Sequence, residues 1–200
     1  GASYGIGAEL ALRLSHYPVR MVLVARTKEK LEEIRTQCGD KATVFLYNAD
    51  LREETAVDDL LSDLQSKDIR IDILISNAGH SIYRKLADST GRSAYHSSKA
   101  AFDHWLRCAE PEMKAAGVSL CNVYLPLVRT RMSMIVEQNH KRPAMSCAKA
   151  ADAILHSIIR RRRKYRPSCI AIPRFLDILV PNLRYRLQLR RLKKQQRMIR

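Results

Sequence analysis

Short apolar runs of strand length alternate with helical patterns along this chain. The strand-like runs are Arg20–Ala25 (RMVLVA), Thr43–Asn48 (TVFLYN), Ile71–Ser76 (IDILIS), Ser119–Tyr124 (SLCNVY) and Cys169–Ile172 (CIAI). Between them, apolar residues recur at i, i+3, i+4 and i+7, the signature of an amphipathic helix. Lys28–Cys38 puts Leu31, Ile34 and Cys38 on one face, and Glu53–Lys67 does the same for Val57, Leu60, Leu61 and Leu64. Ala94–Ala116 is followed by Gly117, a good C-terminal stop, and Ala148–Arg160 is preceded by Ser146, a good N-cap. Strands alternating with helices predict βαβ units: an α/β fold with a Rossmann-like, doubly wound parallel sheet. In such a sheet ligands sit at the carboxyl ends of the strands.

Composition refines this picture. Two hundred residues, 46% hydrophobic and 28% charged, suit one soluble globular domain. No apolar run approaches the ~18 residues that span a bilayer. The five cysteines are scattered and odd in number, with no Cys-x-x-Cys pair. That favours a reducing, intracellular setting over a disulfide framework, and leaves no zinc-type metal site to expect. The absence of a secretory apolar segment fits the same expectation: cytoplasmic, or peripheral on an intracellular membrane. The net charge of +16 is uneven. From His156 to Arg200 there are 15 Lys/Arg and one acid, Asp177, whereas residues 1–155 carry a net charge of only +2.

Four short motifs carry candidate chemistry. The chain opens with Gly1-Ala2-Ser3-Tyr4-Gly5-Ile6-Gly7, followed by a helical pattern with Leu10 and Leu14 on one side. Such glycines permit a tight turn and close approach of a pyrophosphate to a helix N-terminus. Alone, the cluster reads equally well as an ordinary glycine-rich turn. Arg26 follows at the end of a strand, with Lys28 and Lys30 beyond it. An acid there would hold the ribose 2′-hydroxyl of NAD, whereas a cation suits the 2′-phosphate of NADP. Asn48-Ala49-Asp50-Leu51 and Asn77-Ala78-Gly79 each close a further strand-like run. Tyr95 and Lys99 stand at i and i+4 on one helix face. A free phenol, with a pKa of about 10, is a poor acid–base at neutral pH, and a neighbouring ammonium favours the phenolate.

Taken together, these residues resemble the short-chain dehydrogenase/reductase family, and the resemblance runs to about Ile172. It implies cofactor contacts from Gly1, Ser3, Gly5, Ile6, Gly7, Arg26, Leu51, Asn77 and Lys99. It further implies that Asp50 binds the adenine edge and that Ala78 and Gly79 lie along the cofactor. Tyr95 is then the general acid/base, and Lys99 holds the nicotinamide ribose and tunes Tyr95. Pro126-Leu127-Val128-Arg129-Thr130 matches the segment that contacts the nicotinamide carboxamide, through Val128 and Thr130. The family usually has Pro-Gly there. Leu127 with the following Arg-Thr-Arg-Met is similar to members that handle long-chain acyl or other lipophilic carbonyls. The implied activity is an NADP(H)-dependent interconversion of a carbonyl and an alcohol, with NAD the less suited cofactor. Pairing of two copies through the Tyr95–Lys99 helix is a further expectation from the resemblance.

The sequence also departs from the family's pattern. The first strand is expected before Gly1, and the chain starts at that glycine. Only fifteen residues separate Gly79 from Tyr95, where the family places a long helix, a strand and a catalytic Ser. In the family's strand order, 3-2-1-4-5-6-7, the missing first and fifth strands are central. What remains is a 3-2 pair, a lone fourth strand and a 6-7 pair, with backbone groups exposed at new edges. A marginal fold is the expectation. Ser81, Ser89 and Ser93 are poor substitutes for the lost Ser. Pro111, inside the helix after Lys99, costs ~3 kcal/mol or bends the helix. The alternative to an enzyme is therefore an inactive remnant that keeps the motifs and acts through its tail.

That tail completes the domain reading: a truncated nucleotide-binding domain over residues 1–173 and a basic amphipathic extension over 174–200. Arg160–Lys164 is a run of five cations, and Leu176, Leu179, Leu183 and Leu187 recur at helical spacing among arginines and lysines. Two readings stay open: an anionic membrane surface as partner, and a helix packed on the body by its leucine stripe. Nucleic acid is not favoured, because stacking aromatics and a docking motif are lacking.

Overall fold

The computed structural model describes residues 1–79, 90–133 and 144–172. Helix α1 (Gly5–Leu14) leads into strand β1 (Arg20–Ala25), helix α2 (Lys28–Gln37), strand β2 (Thr43–Asn48) and helix α3 (Ala56–Ser66). A long helix α4 (Thr90–Ala115), strand β3 (Asn122–Val123), helix α5 (Cys147–Ile159) and strand β4 (Lys164–Tyr165) complete the order. The arrangement is a partial Rossmann-like α/β fold.

Strands β1 and β2 run parallel, from Arg20 beside Thr43 to Ala25 beside Asn48. Their alternation puts Met21, Leu23 and Ala25 inward, against Ala8 and Ala11 of α1 and Leu31 and Ile34 of α2. Leu31 is fully buried, a side-chain burial that stabilises by roughly 1.5–3 kcal/mol. Ala150 and Ala151 of α5 are also fully buried where that helix lies on α1, and Arg13 Nε bonds Asp152 Oδ1 at 2.5 Å across the contact. Small residues let the two helices approach closely, and Ser146 caps α5 by accepting from the Lys149 N–H at 3.2 Å.

The second parallel pair is only two residues long, with Asn122 beside Lys164 and Val123 beside Tyr165. Three expectations are corrected here. Ile71–Ser76 forms no strand; Ile73 is 61% and Leu74 85% exposed. A strand exists only with a neighbour to bond, and among the described residues no strand pairs with this segment. The face of α3 is narrower for the same reason: Leu64 is buried, but Val57 and Leu61 are exposed because no sheet extends beneath them. Finally, Cys169–Ile172 is helical. The N–H groups of Ile170 and Ala171 both bond the Pro167 carbonyl, at 2.9 and 3.0 Å. Proline opens a helix readily because it has no N–H to leave unpaired. The last strand among the described residues, β4, starts at Lys164, the end of the basic run. Ser81, Ser89, the side chain of Ser93 and the tail from residue 174 lie outside the described residues.

Candidate active site

The glycine loop sits where β1 ends. The Ala2 N–H donates to Val24 O at 3.2 Å, and Asn77 Nδ2 donates to Gly1 O at 2.9 Å. Residues 1–2 thus lie between β1 and the 77–79 segment. The packing is tight enough to require glycine. A Cβ on Gly1 would meet Ala78 Cα at 2.8 Å, and one on Gly7 would overlap the Gly1 carbonyl. Gly5 has φ +61°, a left-handed conformation that glycine adopts without strain.

Helix α1 begins at this loop with Tyr4 as an extended N-cap, no side-chain cap bond and no acid in the first turn. Its leading N–H groups and the positive end of its dipole are therefore available to an anion. Ser3 lies in the loop and Ile6 in the first turn. These features fit the pyrophosphate of a dinucleotide.

Arg26 and Asp50 follow the two strand ends. Arg26 is exposed, with a guanidinium nitrogen 3.9 Å from Asp50 Oδ2. Asp50 is gripped more closely by Arg52, whose Nε lies 3.0 Å from both carboxylate oxygens. Arg52 first and Arg26 more distantly hold the Asp50 carboxyl down to about 2. Asn48 fixes the turn, donating from Nδ2 to Arg26 O at 2.8 Å. Leu51 beside them is 41% exposed.

Lys99 and Thr130 each stand beside one of the glycines. Lys99 Nζ stands 3.4 Å from the position that a Gly79 Cβ would occupy. Tyr95 is half-buried one helical turn before it, and its carbonyl accepts from Ser98 Oγ at 2.9 Å. The Thr130 methyl lies 3.4 Å from the equivalent point on Gly5. Val128 is buried and bridges to Met145. The glycine loop is thus brought together with Asn77, Ala78 and Thr130, Gly79 with Lys99, and Arg26 with Asp50.

Sequence reasoning missed several groups. Ser133, itself buried, organises the 128–133 turn: its Oγ lies 2.5 Å from Val128 O and accepts from the Thr130 N–H at 2.8 Å. The Thr-x-x-Ser spacing is the signal for such a hydroxyl turn. Arg52 was legible as an Asx-type contact two residues after Asp50. Arg131 over the Tyr4 ring, at 5.5 Å, brings together residues far apart in sequence and left no signal.

A family model described as short chain dehydrogenase matches residues 1–90. The fatty acyl-CoA reductase of Acinetobacter baylyi is 30% identical over 216 residues, covering 82% of this chain and 72% of that protein. The chain belongs to the short-chain dehydrogenase/reductase family. The family consists of NAD(P)-dependent oxidoreductases. A second relative in it, a fatty acyl-CoA reductase of Mycobacterium tuberculosis, is 28% identical over 232 residues, covering 90% of this chain and 79% of that one. A short-chain dehydrogenase of Sphingobium yanoikuyae, solved in complex with NADPH, superposes with TM-score 0.73 at 21% identity, over 99% of this chain and 92% of that one. The alignments also measure an internal shortfall. The 216 positions shared with the Acinetobacter protein draw on 82% of the 200 residues here, or 164, so about 52 positions of that relative face a gap. The Mycobacterium alignment leaves the same number: 90% of 200 is 180, against 232 positions.

Proposed function

We propose that this short-chain dehydrogenase/reductase is an NADP(H)-dependent oxidoreductase that interconverts a carbonyl and an alcohol on a lipophilic, long-chain acyl-type substrate. The observation that carries the reading is the meeting of the glycine loop at the uncapped α1 N-terminus with Asn77, Ala78 and Thr130, with Lys99 beside Gly79 and Arg26 at the end of β1. The α1 N–H groups bind the pyrophosphate, and Arg26 bonds the 2′-phosphate. Asp50 meets the adenine edge from its pairing with Arg52. Thr130 orients the carboxamide, on the turn that Ser133 holds. When bound, the dinucleotide supplies or accepts the hydride. Tyr95 gives its phenolic proton to the substrate oxygen in reduction and takes it back in oxidation, and Lys99 stabilises the phenolate. The substrate class is supported by the two relatives named fatty acyl-CoA reductases.

The test is NADPH consumption with a long-chain aldehyde, in wild type and in Tyr95→Phe. Turnover that Tyr95→Phe abolishes supports the reading. Turnover that survives Tyr95→Phe removes Tyr95 from the chemistry.

A second reading has its own observation. About 52 relative positions lacking a counterpart within the aligned region favour a form that retains the dinucleotide site without turnover. Such a form acts through its basic tail on an anionic membrane surface. Saturable NADPH binding with no consumption of any carbonyl substrate is its signature.

A further inference from the structure

Among the described residues, few groups hold the 97–115 part of the helix that carries Tyr95 and Lys99 to the rest of the fold. From Ser97 to Ala115, no residue of α4 is buried. Its half-buried positions, Asp103, Leu106, Ala109, Glu110 and Met113, form one stripe at helical spacing. Tyr95, Lys99 and Asp103 stand at i, i+4 and i+8 on the continuation of that stripe. Phe102 and Trp105, stacked on each other with ring centroids 5.9 Å apart, are 42% and 56% exposed and supply no buried anchor.

The two acids of the stripe are met from the β3–β4 pair. The Tyr124 hydroxyl donates to Asp103 Oδ1. Arg163 Nε donates to Glu110 Oε1 at 2.8 Å. The strand pair is itself tied, with the Asn122 N–H donating to Arg163 O at 3.1 Å and the Tyr124 N–H to Tyr165 O at 2.9 Å. The Arg166 guanidinium lies 4.3 Å from the Tyr124 ring centroid, and Arg107 holds the second Asp103 oxygen at 3.2 Å. The two ties are not equal. Arg163 is 78% exposed, so its pair with Glu110 is screened and weak. The Tyr124–Asp103 bond is partly buried and has a charged acceptor, the stronger kind. Burial, and then Asp103 itself, push the Tyr124 phenol up, so it remains a donor at neutral pH.

We propose that Tyr124 is a positioning residue, fixing α4 on the β3–β4 pair through Asp103 and thereby setting where Tyr95 and Lys99 stand over the nucleotide site. The inference rests on the reading that Tyr95 and Lys99 perform the chemistry. Lys99 reaches Gly79 only if α4 keeps its place, and a displacement of about 1 Å at a reacting group lowers turnover by up to about 100-fold.

The experiment compares Tyr124→Phe, Asp103→Ala and Asp103→Asn in the full chain, by steady-state kinetics with NADPH and by amide hydrogen exchange. Tyr124→Phe and Asp103→Ala are expected to lower kcat by about 10- to 100-fold. NADPH affinity holds within about twofold, because the groups that bind its phosphates stand on α1 and β1. Asp103→Asn keeps an acceptor for the phenol and retains most of kcat. Exchange in residues 100–115 speeds up in the first two variants and is unchanged in α1 and β1. Wild-type kcat and wild-type α4 exchange in Tyr124→Phe would overturn the proposal, and so would loss of protection spread equally over α1 and β1. If the wild-type chain turns over no substrate, the catalytic reading fails, and faster exchange confined to α4 still supports the clamp.

Discussion

Replacing Gly7 with alanine is a direct test of the nucleotide loop. A Cβ at this position would overlap the Gly1 carbonyl and come within 2.7 Å of Asn77 Nδ2. Neither obstacle can turn aside. One is backbone, and the other is the amide that donates to that same carbonyl at 2.9 Å. Helix α1 must therefore move, and it carries Ala8, Leu10 and Ala11 in the core and packs along α5. Forcing a methyl into a packed site costs roughly 1–3 kcal/mol. Losing the Asn77–Gly1 bond adds about 0.5–1.5 kcal/mol. The expected total is about 1.5–4.5 kcal/mol, a large share of the ~5–15 kcal/mol that stabilises a typical domain.

The assay is urea unfolding followed by far-ultraviolet circular dichroism, paired with an NADPH titration. Gly79→Ala is the control, because among the described residues its Cβ would meet only the flexible end of Lys99, at 3.4 Å. Its stability should stay within about 0.5 kcal/mol of wild type. Gly7→Ala should lower the urea midpoint and weaken NADPH binding together. If Gly7→Ala unfolds at the same midpoint as Gly79→Ala, the close packing of Gly7, Gly1 and Asn77 is refuted.

Other outcomes follow from the same structure. Asp50 titrates at about 2 when folded, below its ordinary 3.8, so its contribution to stability is complete above pH ~4 and is lost as pH falls through about 2. In Arg52→Ala, its carboxyl pKa measured by NMR should rise toward 3.8; an unmoved value would contradict the Arg52 grip. Gly117 has φ +79° and open space around it, so Gly117→Ala should cost about 1–2 kcal/mol by backbone strain alone, read from the urea midpoint. Leu74, 85% exposed, should tolerate Leu74→Ser within about 0.5 kcal/mol, while binding of a hydrophobic dye falls. A larger loss of stability would mean that residues 71–76 are packed. Flotation with anionic liposomes at low salt should carry the chain along if the basic tail engages a membrane; its absence would leave the leucine stripe packed on the body.

Much of this fold is legible in residue pattern because it is local. Strands β1 and β2 follow their apolar runs residue for residue, and α5 starts where Ser146 supplies an oxygen to the Lys149 N–H. Each depends on a few neighbouring side chains and on a partner that exists. The run Ile71–Ser76 has equal β character, yet a strand requires a bonding partner, and periodicity carries no record of whether one is there. The four residues Cys169–Ile172 are too few to distinguish strand from helix, and Pro167 decided for helix. Ser119–Tyr124 shrinks to Asn122–Val123 because β4 offers only two residues to pair with. At the candidate site, the glycines, Asp50, Asn77 and Lys99 were readable because their spacing is itself the motif. Ser133, Arg131 and Tyr124 were not, because their importance arises from contacts between elements distant in sequence.

In the function proposed above, NADP(H) binds at the glycine loop, with selectivity from Arg26. Parallel fluorescence titrations of wild type and Arg26→Ala with NADPH and NADH test it most directly. Loss of one charge-assisted bond, worth about 1.5–3 kcal/mol, should weaken NADPH binding by roughly 10- to 100-fold in Arg26→Ala and leave NADH binding nearly unchanged. No saturable NADPH binding by wild type, or equal losses for both nucleotides, would contradict the account.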